Sequence, residues 1–186
     1  MLKRILVTGN AGSGKTTVSQ QLNKLLHIPV YGLDKIVWRS HWQRMPQSQY
    51  RAKLTKIIEN EQWIIDGVCL KAVKAADVII FLDMPRHICY WQACKRNIRY
   101  LFKSRPGLPP KCPEILILGY LIKLIWNFPR LVRPTLMQVL RQRDPEKTII
   151  HIRNQRQLQE LLPIFAAKCT NNEGKGYRFV EKSAIL

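Results

Sequence analysis

The stretch TGNAGSGKTT, residues 8–17, fits the pattern GxxxxGK[ST] from Gly9 to Thr16. Directly before it runs the apolar segment RILVT, residues 4–8, which is typical of a buried strand. Directly after it, apolar residues recur at helical spacing through residues 15–26. A strand, a glycine-rich loop and a helix in this order are the context in which the pattern forms a phosphate-binding loop.

Each residue type in this loop has a physical reason to be there. Glycines let the backbone curl so that successive N–H groups point inward, and the start of the following helix adds the positive end of its dipole. Lys15 is placed to reach the β and γ phosphates of a nucleoside triphosphate, and the Thr16 hydroxyl is placed to bind Mg²⁺. The predicted nucleotide-binding residues are Gly9, Asn10, Ala11, Gly12, Ser13, Gly14, Lys15, Thr16 and Thr17.

Short apolar segments separated by helical stretches extend this pattern along the chain. They are IPVY near residue 28, WIID at residues 63–66, DVIIFLD at residues 77–83 and KTIIHI at residues 147–152. Strands of a parallel sheet covered on both faces have this continuous Val/Ile character. We therefore predict an α/β fold of the P-loop NTPase kind, with three layers (α/β/α) around a parallel sheet of about five strands.

The interval between the last two predicted strands is a basic insert, residues 84–143. It holds 12 Lys and Arg against one acidic residue, Glu114. The segment RPGLPPKCP, residues 105–113, divides it into helical pieces. We predict a single domain over residues 1–169 with the insert as a helical lid, and a C-terminal tail over residues 170–186.

The composition bounds the partners and the compartment. With 31 Lys and Arg against 12 Asp and Glu the formal charge is +19, so the surface should attract phosphates, nucleic acid or anionic lipid. Charge alone does not choose among these partners. Five cysteines form no CxxC pair, which argues against a disulfide scaffold or a zinc site. The most apolar later stretch, residues 115–126, is shorter than the ~20 residues that a spanning helix needs. We expect a cytoplasmic protein without a signal peptide or a transmembrane segment.

Aspartates follow several of the predicted strands, where ligands bind in open α/β sheets. Asp66 ends WIID and Asp83 ends DVIIFLD, so either could orient Mg²⁺ through water or cap the following loop. Asp34, in YGLDKIVW, would lie across the crevice from the phosphate loop. It could hold or deprotonate an acceptor hydroxyl, or cap a helix that begins near Lys35.

The insert also supplies positive charge for a phosphoryl group in transfer. Arg96 and Arg99 share the amphipathic stretch CYWQACKRNIRYLF, and Arg105 follows closely. An arginine-bearing lid can neutralise the moving phosphate and exclude water. Further candidates are Arg130, Arg133, Arg141 and Arg143.

These motifs together resemble a known family. In order along residues 2–162 the chain contains the phosphate loop, LDKIVW, WIIDG, ADVIIFLDMPRHICYW, KRN, RPGLPPKCPE and IWNFPRLVRP. This constellation resembles the DNA topology modulation proteins, small P-loop kinase-like proteins related to adenylate kinases.

The resemblance implies a nucleoside monophosphate kinase-like fold that uses ATP and Mg²⁺, with an acceptor-binding region after the second strand. It implies that Asp66 takes the place of the aspartate in the adenylate kinase DGFPR motif, with Arg96 as the first lid arginine and Asp34 as an acceptor-binding acid. The catalytic residues by this analogy are Lys15, Asp34, Asp66 and Arg96, with Thr16 and Asp66 at the metal.

One segment departs from adenylate kinases. After Asp66 and Gly67 those enzymes continue with Phe-Pro-Arg, whereas this chain reads VCLKAVKAAD, residues 68–77. The arginine that would hold an acceptor phosphate is missing, and Lys71 or Lys74 could replace it.

Functions of different classes remain open. The first is a nucleoside monophosphate kinase-like phosphotransferase that passes the γ phosphate of ATP to a small acceptor. The second is a nucleotide-switched, nucleic-acid-associated protein that modulates DNA topology, with its basic insert on phosphate backbones. A third is peripheral membrane attachment through residues 115–126 and the flanking arginines.

Overall fold

The computed structural model describes residues 3–102, 104, 108–141 and 147–170. In chain order its elements are β1 (Arg4–Gly9), α1 (Lys15–Leu26), β2 (Val30–Gly32), α2 (Leu33–Val37), β3 (Trp38–Arg39), β4 (Gln43–Arg44), α3 (Gln47–Glu59), β5 (Trp63–Asp66), α4 (Leu70–Ala75), β6 (Val78–Leu82), α5 (Arg86–Arg99), α6 (Leu118–Leu131), α7 (Arg133–Arg141), β7 (Thr148–Ile152) and α8 (Gln155–Thr170). Short 3-10 helices cover Ser40–Trp42 and Glu114–Ile117. The predicted tail lies outside the described residues from residue 171 onward, as do Arg105 and Arg143.

The central sheet has five strands in the order β2-β5-β1-β6-β7, and all its pairings are parallel. Because β1 lies in the middle, the loop that follows it opens at the centre of the carboxyl edge. β5 and β6 flank β1, so the residues that end these strands meet the loop there. The predicted fold class is confirmed.

Alternate residues of the strands supply two separate cores, one on each face of the sheet. Ile5 and Val7 belong to the core that α1, α5, α6 and α8 cover, whereas Leu6 belongs to the core beneath α2, α3, α4 and α7. This alternation follows from the two-residue period of a strand. The central strands are buried on both sides, which explains their continuous apolar runs.

The helices of the basic insert are part of these cores. Cys89 and Ala93 of α5 and Ile125 of α6 are buried against one face, and Leu136 of α7 is buried against the other. Helix α6 contributes to both, because its Phe128 lies in the second core. The segment of the insert that lies between α5 and α6 is held by an isolated bridge from residue 104 to residue 113.

One helical run in the described chain, Glu114–Arg141, is long and apolar enough by length and composition to cross a membrane. Only 17% of its most apolar 18-residue stretch is buried. The run is nevertheless tied to the domain, because Leu121, Ile125 and Phe128 lie in the cores of the sheet.

A charged cluster closes the carboxyl end of β6. Arg133 Nε and one terminal nitrogen of Arg133 donate hydrogen bonds of 2.7–3.0 Å to the Asp83 carboxylate. His151 Nε2 lies 3.0 Å from Asp83 Oδ2, and its ring stacks on Phe81 at 5.1 Å between centroids. Partial burial raises the pKa of Asp83, but the hydrogen bonds from His151 and Arg133 outweigh it and hold that pKa well below the usual range. Asp83 is therefore an anchor that joins α7 to the sheet.

Replacing Arg133 tests this anchor. We expect Arg133→Met to lower the free energy of unfolding at neutral pH by roughly 1–2 kcal/mol, because a partly exposed ion pair with several hydrogen bonds is lost. The Asp83 pKa is lowered in the fold, so its contribution is complete above the ordinary value of 3.8 and disappears as pH falls towards the lowered value. Denaturant unfolding at several pH values measures this, with the exposed Arg130→Met as the control; a loss that persists unchanged in strong acid would contradict it.

Candidate functional site

The phosphate loop folds back on itself at the centre of the carboxyl edge. Gly12 and Gly14 have φ of +76° and +95°, a left-handed conformation that glycine adopts without strain. The carbonyl oxygen of Asn10 accepts from Ser13 N at 3.2 Å and from Lys15 Nζ at 2.7 Å. The lysine ammonium thus already lies over the loop that it is expected to serve.

Helix α5 packs directly beneath this loop. A Cβ at Gly12 would collide with the carbonyl oxygen of Cys89, so no other residue fits at this position without moving the helix. Burial raises the pKa of Cys89 to about 11, although the charge of Lys15 opposes this rise. The thiol therefore stays protonated at neutral pH and serves as packing.

The side chain of Asn10 connects the loop to α6. Its Nδ2 donates to the carbonyl oxygen of Ile125 at 3.1 Å, across 115 residues of sequence, and its Oδ1 accepts from Ala11 N at 2.8 Å. The Ile125 carbonyl is open to this bond because Pro129, four residues later in the helix, has no N–H to donate. A residue predicted only as part of the nucleotide cradle therefore also fastens the loop to the insert.

The two predicted metal residues are in contact. Thr16 Oγ1 donates to Asp66 Oδ2 at 2.7 Å. Asp66 is nearly buried at the end of β5, where its register partner is Val7 of β1. A hydroxyl and a carboxylate are the hard oxygen donors that Mg²⁺ takes from a protein when phosphates and water complete its shell. The donor set fits Mg²⁺ that is bound together with phosphates and water. The described residues contain no group of three or more His, Cys, Asp or Glu that could hold a metal ion.

Gly67 sets the approach of α2 to this carboxylate. Its φ is +148°, and a Cβ there would come within 2.8 Å of Leu33, whose buried side chain covers the end of β5. Leu33 begins α2, so this close packing places Asp34 in the first turn of the helix at the same edge. The N-cap residue of α2 is Gly32, and the predicted alternative of Asp34 as a helix cap is wrong.

The charges of Asp34, Asp66 and Arg96 all act on the ammonium of Lys15. Desolvation lowers the pKa of Lys15, the carboxylates of Asp66 and Asp34 oppose this change, and the charge of Arg96 adds to it. Each of these effects requires that the charged group lies near the ammonium. The structure therefore brings Lys15, Asp34, Asp66 and Arg96 together around the loop.

Arg96 forms an ion pair with an acidic residue, Glu114, for which the sequence pattern predicted no role. One terminal nitrogen of Arg96 lies 3.8 Å from Glu114 Oε2, and the Glu114 side chain is 1% exposed. Glu114 is the one acid among the cations of residues 84–143, and this isolation is the signal that could have identified it. Because Glu114 begins the 3-10 helix before α6, the pair links both sides of the insert.

The hairpin formed by β3 and β4 contacts the segment of the insert just before Glu114. Trp42 Nε1 donates to the carbonyl oxygen of Pro113 at 2.9 Å, and His41 N donates to that of Lys111 at 3.2 Å. The buried thiol of Cys112 lies between these contacts and bonds the Arg39 carbonyl oxygen at 3.4 Å. The predicted acceptor-binding region and the predicted lid are thus in direct contact.

The two lysines proposed to hold an acceptor phosphate lie at different places. Lys71 is exposed near the start of α4, shortly after Gly67 at the carboxyl edge. Lys74 lies near the opposite edge, because its carbonyl oxygen accepts from Lys147 Nζ at 2.8 Å just before β7 begins. Of the two, only Lys71 is near the site.

The comparisons with known proteins agree on the fold. No protein-family model and no curated protein matches the sequence. The shikimate kinase of Acinetobacter baumannii, solved in complex with shikimate, is similar with a TM-score of 0.56 at 14% identity, over 94% of this chain and 97% of that one. The deoxyadenosine kinase of M. mycoides, solved with dCMP and dCDP, is similar with a TM-score of 0.53 at 14% identity, over 90% of this chain and 98% of that one. The chain therefore has the fold of the P-loop kinases.

Because Asn10 links the phosphate loop to α6, we expect that stability can be restored in an Asn10 variant without restoring nucleotide affinity. We expect Asn10→Ala to lower the free energy of unfolding by about 1–3 kcal/mol, because it leaves the Ile125 carbonyl buried without its donor. Adding Pro129→Ala restores an N–H four residues after that carbonyl and should recover most of this loss. Nucleotide affinity should fall in the single variant and remain low in the double variant, because the loop stays unfastened.

Thermal unfolding and fluorescence titration with a labelled ATP analogue measure the two quantities. Asn23→Ala is the matched control, because Asn23 Nδ2 donates to the Ile28 carbonyl at 2.7 Å at the far end of α1. It should lose stability and keep nucleotide affinity. Full nucleotide affinity in Asn10→Ala would show that the loop does not need α6.

Proposed function

We propose that the protein is an ATP- and Mg²⁺-dependent phosphotransferase that passes the γ phosphate to a small acceptor. The observation that supports this best is the Thr16 to Asp66 hydrogen bond of 2.7 Å at the mouth of the phosphate loop. It joins the two expected metal residues on a fold shared with P-loop kinases.

On the donor side, the chain supplies positive charge and N–H groups. The curled backbone of residues 10–14 and the start of α1 bind the phosphates. Lys15, whose ammonium donates to the Asn10 carbonyl oxygen in this structure, would bind the β and γ phosphates. Thr16 and Asp66 would hold Mg²⁺ with their hydroxyl and carboxylate oxygens. When bound, Mg²⁺ neutralises charge on the β and γ phosphates.

On the acceptor side, Asp34 is the proposed general base. It lies on α2 near Lys15, with a side chain at the surface of the crevice. An oxygen of the acceptor attacks the γ phosphorus, the bond from that phosphorus to the β–γ bridging oxygen breaks, and ADP leaves. Where the attacking group is a hydroxyl, its proton passes to the Asp34 carboxylate. Where it is the ionised phosphate oxygen of a nucleoside monophosphate, no proton is transferred and Asp34 only positions the acceptor. The products are the phosphorylated acceptor and ADP.

Arg96 is the proposed stabiliser of the transferring group. Its charge reaches Lys15, and Glu114 holds the guanidinium from the other side. A cation fixed in this way can stabilise the charge on the equatorial oxygens without reorganising at the moment of transfer. Trp42 of the hairpin bonds the carbonyl oxygen of Pro113, which precedes Glu114, so a shift of the hairpin on acceptor binding would also move the partner of Arg96.

The acceptor class is proposed from chemistry. The two similar proteins are a shikimate kinase and a deoxyadenosine kinase, and both names refer to small compounds with hydroxyl groups. The segment after Gly67 lacks the arginine that adenylate kinases place there, and of Lys71 and Lys74 only Lys71 is near the site. A nucleoside monophosphate held by Lys71, or a hydroxylated molecule of similar size, is the proposed acceptor.

The remaining features complete the proposal. We place the protein with the DNA topology modulation proteins, as one domain over residues 1–169 with the insert at residues 84–143 and a tail from residue 170. The described thiols Cys69, Cys89, Cys94 and Cys112 are free, as a reducing cytoplasm requires.

A nucleotide-switched, nucleic-acid-associated protein is the alternative, and the formal charge of +19 favours it. The two functions differ in what Lys15 does. Salt-sensitive retention of DNA that survives Lys15→Ala, without any acceptor-dependent formation of ADP, would favour the alternative.

Acceptor-dependent ADP formation tests the proposed reaction. A panel of nucleoside monophosphates, nucleosides and small polyols is supplied with ATP and Mg²⁺. We expect one class to raise ADP formation in the wild type and Lys15→Ala to abolish it, whereas Lys24→Ala at the exposed end of α1 keeps it. Asp34→Asn should lower kcat by about 10²–10⁴-fold and leave the affinity for ATP unchanged.

Two results would contradict this assignment. If no acceptor raises the rate of ADP formation, the protein is not a kinase for these acceptors and the proposal is contradicted. Asp34→Asn with an unchanged kcat and a raised KM for the acceptor would show that Asp34 binds the acceptor and does not take its proton.

A further inference from the structure

The insert turns large apolar side chains towards solvent. On α5, Trp91 is 60% exposed and Ile98 is 71% exposed. On α6, Ile122 is 47% exposed and Trp126 is 50% exposed. Single exposed apolar residues are ordinary, but several large ones on paired helices indicate a surface that binds something.

These four side chains, called here the apolar insert face, belong to two helices that lie side by side. Tyr90 Oη donates to the Ile122 carbonyl oxygen at 3.1 Å, and the Arg86 guanidinium lies 4.4 Å from the centre of the Trp126 ring. Trp91 and Ile98 are seven residues apart and share one face of α5, as Ile122 and Trp126 do on α6 at a spacing of four. On α5 the buried residues Cys89 and Ala93 point the other way, into the sheet, and on α6 the buried residues Leu121 and Ile125 lie on the adjacent face of the helix.

Exposed cations lie on the same two helices as the apolar insert face. Lys95 Nζ lies 4.7 Å from the centre of the Trp91 ring, and Lys123 and Arg130 are exposed on α6. The insert contains one acidic residue, Glu114, and that carboxylate is buried beside Arg96. In the described part of the insert, the exposed side chains of α5 and α6 are therefore mostly apolar or positive, and none is acidic.

We propose that the apolar insert face docks on the surface of an anionic lipid bilayer. Such a surface accepts aliphatic and indole side chains below its headgroups and attracts Lys and Arg with its negative potential. A second copy of the same face would oppose like charges, which disfavours self-association. Nucleic acid would match the cations but offers no apolar medium for Ile98 and Ile122.

The face lies on the bilayer and does not cross it. The helical run Glu114–Arg141 keeps Leu121, Ile125 and Phe128 in the cores of the domain, and Asn10 holds the Ile125 carbonyl. Withdrawing the run into lipid would break the core and release the phosphate loop. Docking through the outer side chains leaves both intact, and it does not depend on the proposed reaction.

Vesicle co-sedimentation of the full chain tests the proposal. We expect at least about tenfold stronger partitioning onto phosphatidylcholine vesicles that contain phosphatidylglycerol than onto pure phosphatidylcholine. Trp91→Gln with Trp126→Gln should reduce this partitioning by about tenfold or more. Leu70→Gln, which changes an exposed apolar residue outside the insert, should leave it unchanged. Lys123→Glu should weaken binding, and Lys24→Glu on α1 should affect it less.

Circular dichroism melting curves establish that each variant is folded, and tryptophan emission of the wild type should shift to shorter wavelength on anionic vesicles. Three results would overturn the proposal. The first is vesicle binding that the double tryptophan variant retains in full and that salt abolishes in both proteins, which would show that only charge is involved. Another is retention on duplex DNA, lost in that variant, without vesicle binding. The third is a dimer of the wild type that the same variant converts to a monomer.

Discussion

The 2.7 Å hydrogen bond from Thr16 Oγ1 to Asp66 Oδ2 exists because β1 and β5 are parallel neighbours that end at the same edge. The loop after β1 brings the hydroxyl back over this edge, and Gly67 lets Leu33 close over the end of β5. Asp34 is then close enough for its charge to act on Lys15. The arrangement of the candidate site follows from the order of the strands, and the loop alone would not produce it.

The basic insert takes part in this site as a packed structure. Helix α5 leaves no room for a side chain at Gly12, and the carbonyl that Pro129 frees in α6 holds Asn10. The side chains of these helices that face away from the sheet are apolar and cationic. One pair of helices therefore supports the phosphate loop on its inner side and presents the proposed lipid-binding face on its outer side.

Features that depend on local pattern could be predicted from the sequence. The strands, the phosphate loop and the position of Asp66 at a strand end follow from short apolar runs and from the spacing of Gly9 to Thr16. Contacts between distant segments could not. The hydrogen bonds of Asn10 to α6 and of Arg133 to Asp83, and the ion pair of Arg96 with Glu114, join residues that are distant in sequence. Only the packing of the insert determines these partners. The sequence pattern of Asp34 was also ambiguous, because a cap and a first-turn residue differ by a shift of two positions in the start of α2.

The most direct test of the central claim is the dependence of ATP affinity on Mg²⁺, measured by calorimetry with Mg²⁺ and with EDTA. The wild type and Thr16→Ser should bind ATP more tightly with Mg²⁺, because both keep a hydroxyl beside Asp66. Thr16→Ala should lose that gain and retain the affinity measured in EDTA. An undiminished gain in Thr16→Ala would contradict the claim that Thr16 and Asp66 form the metal site of a phosphotransferase.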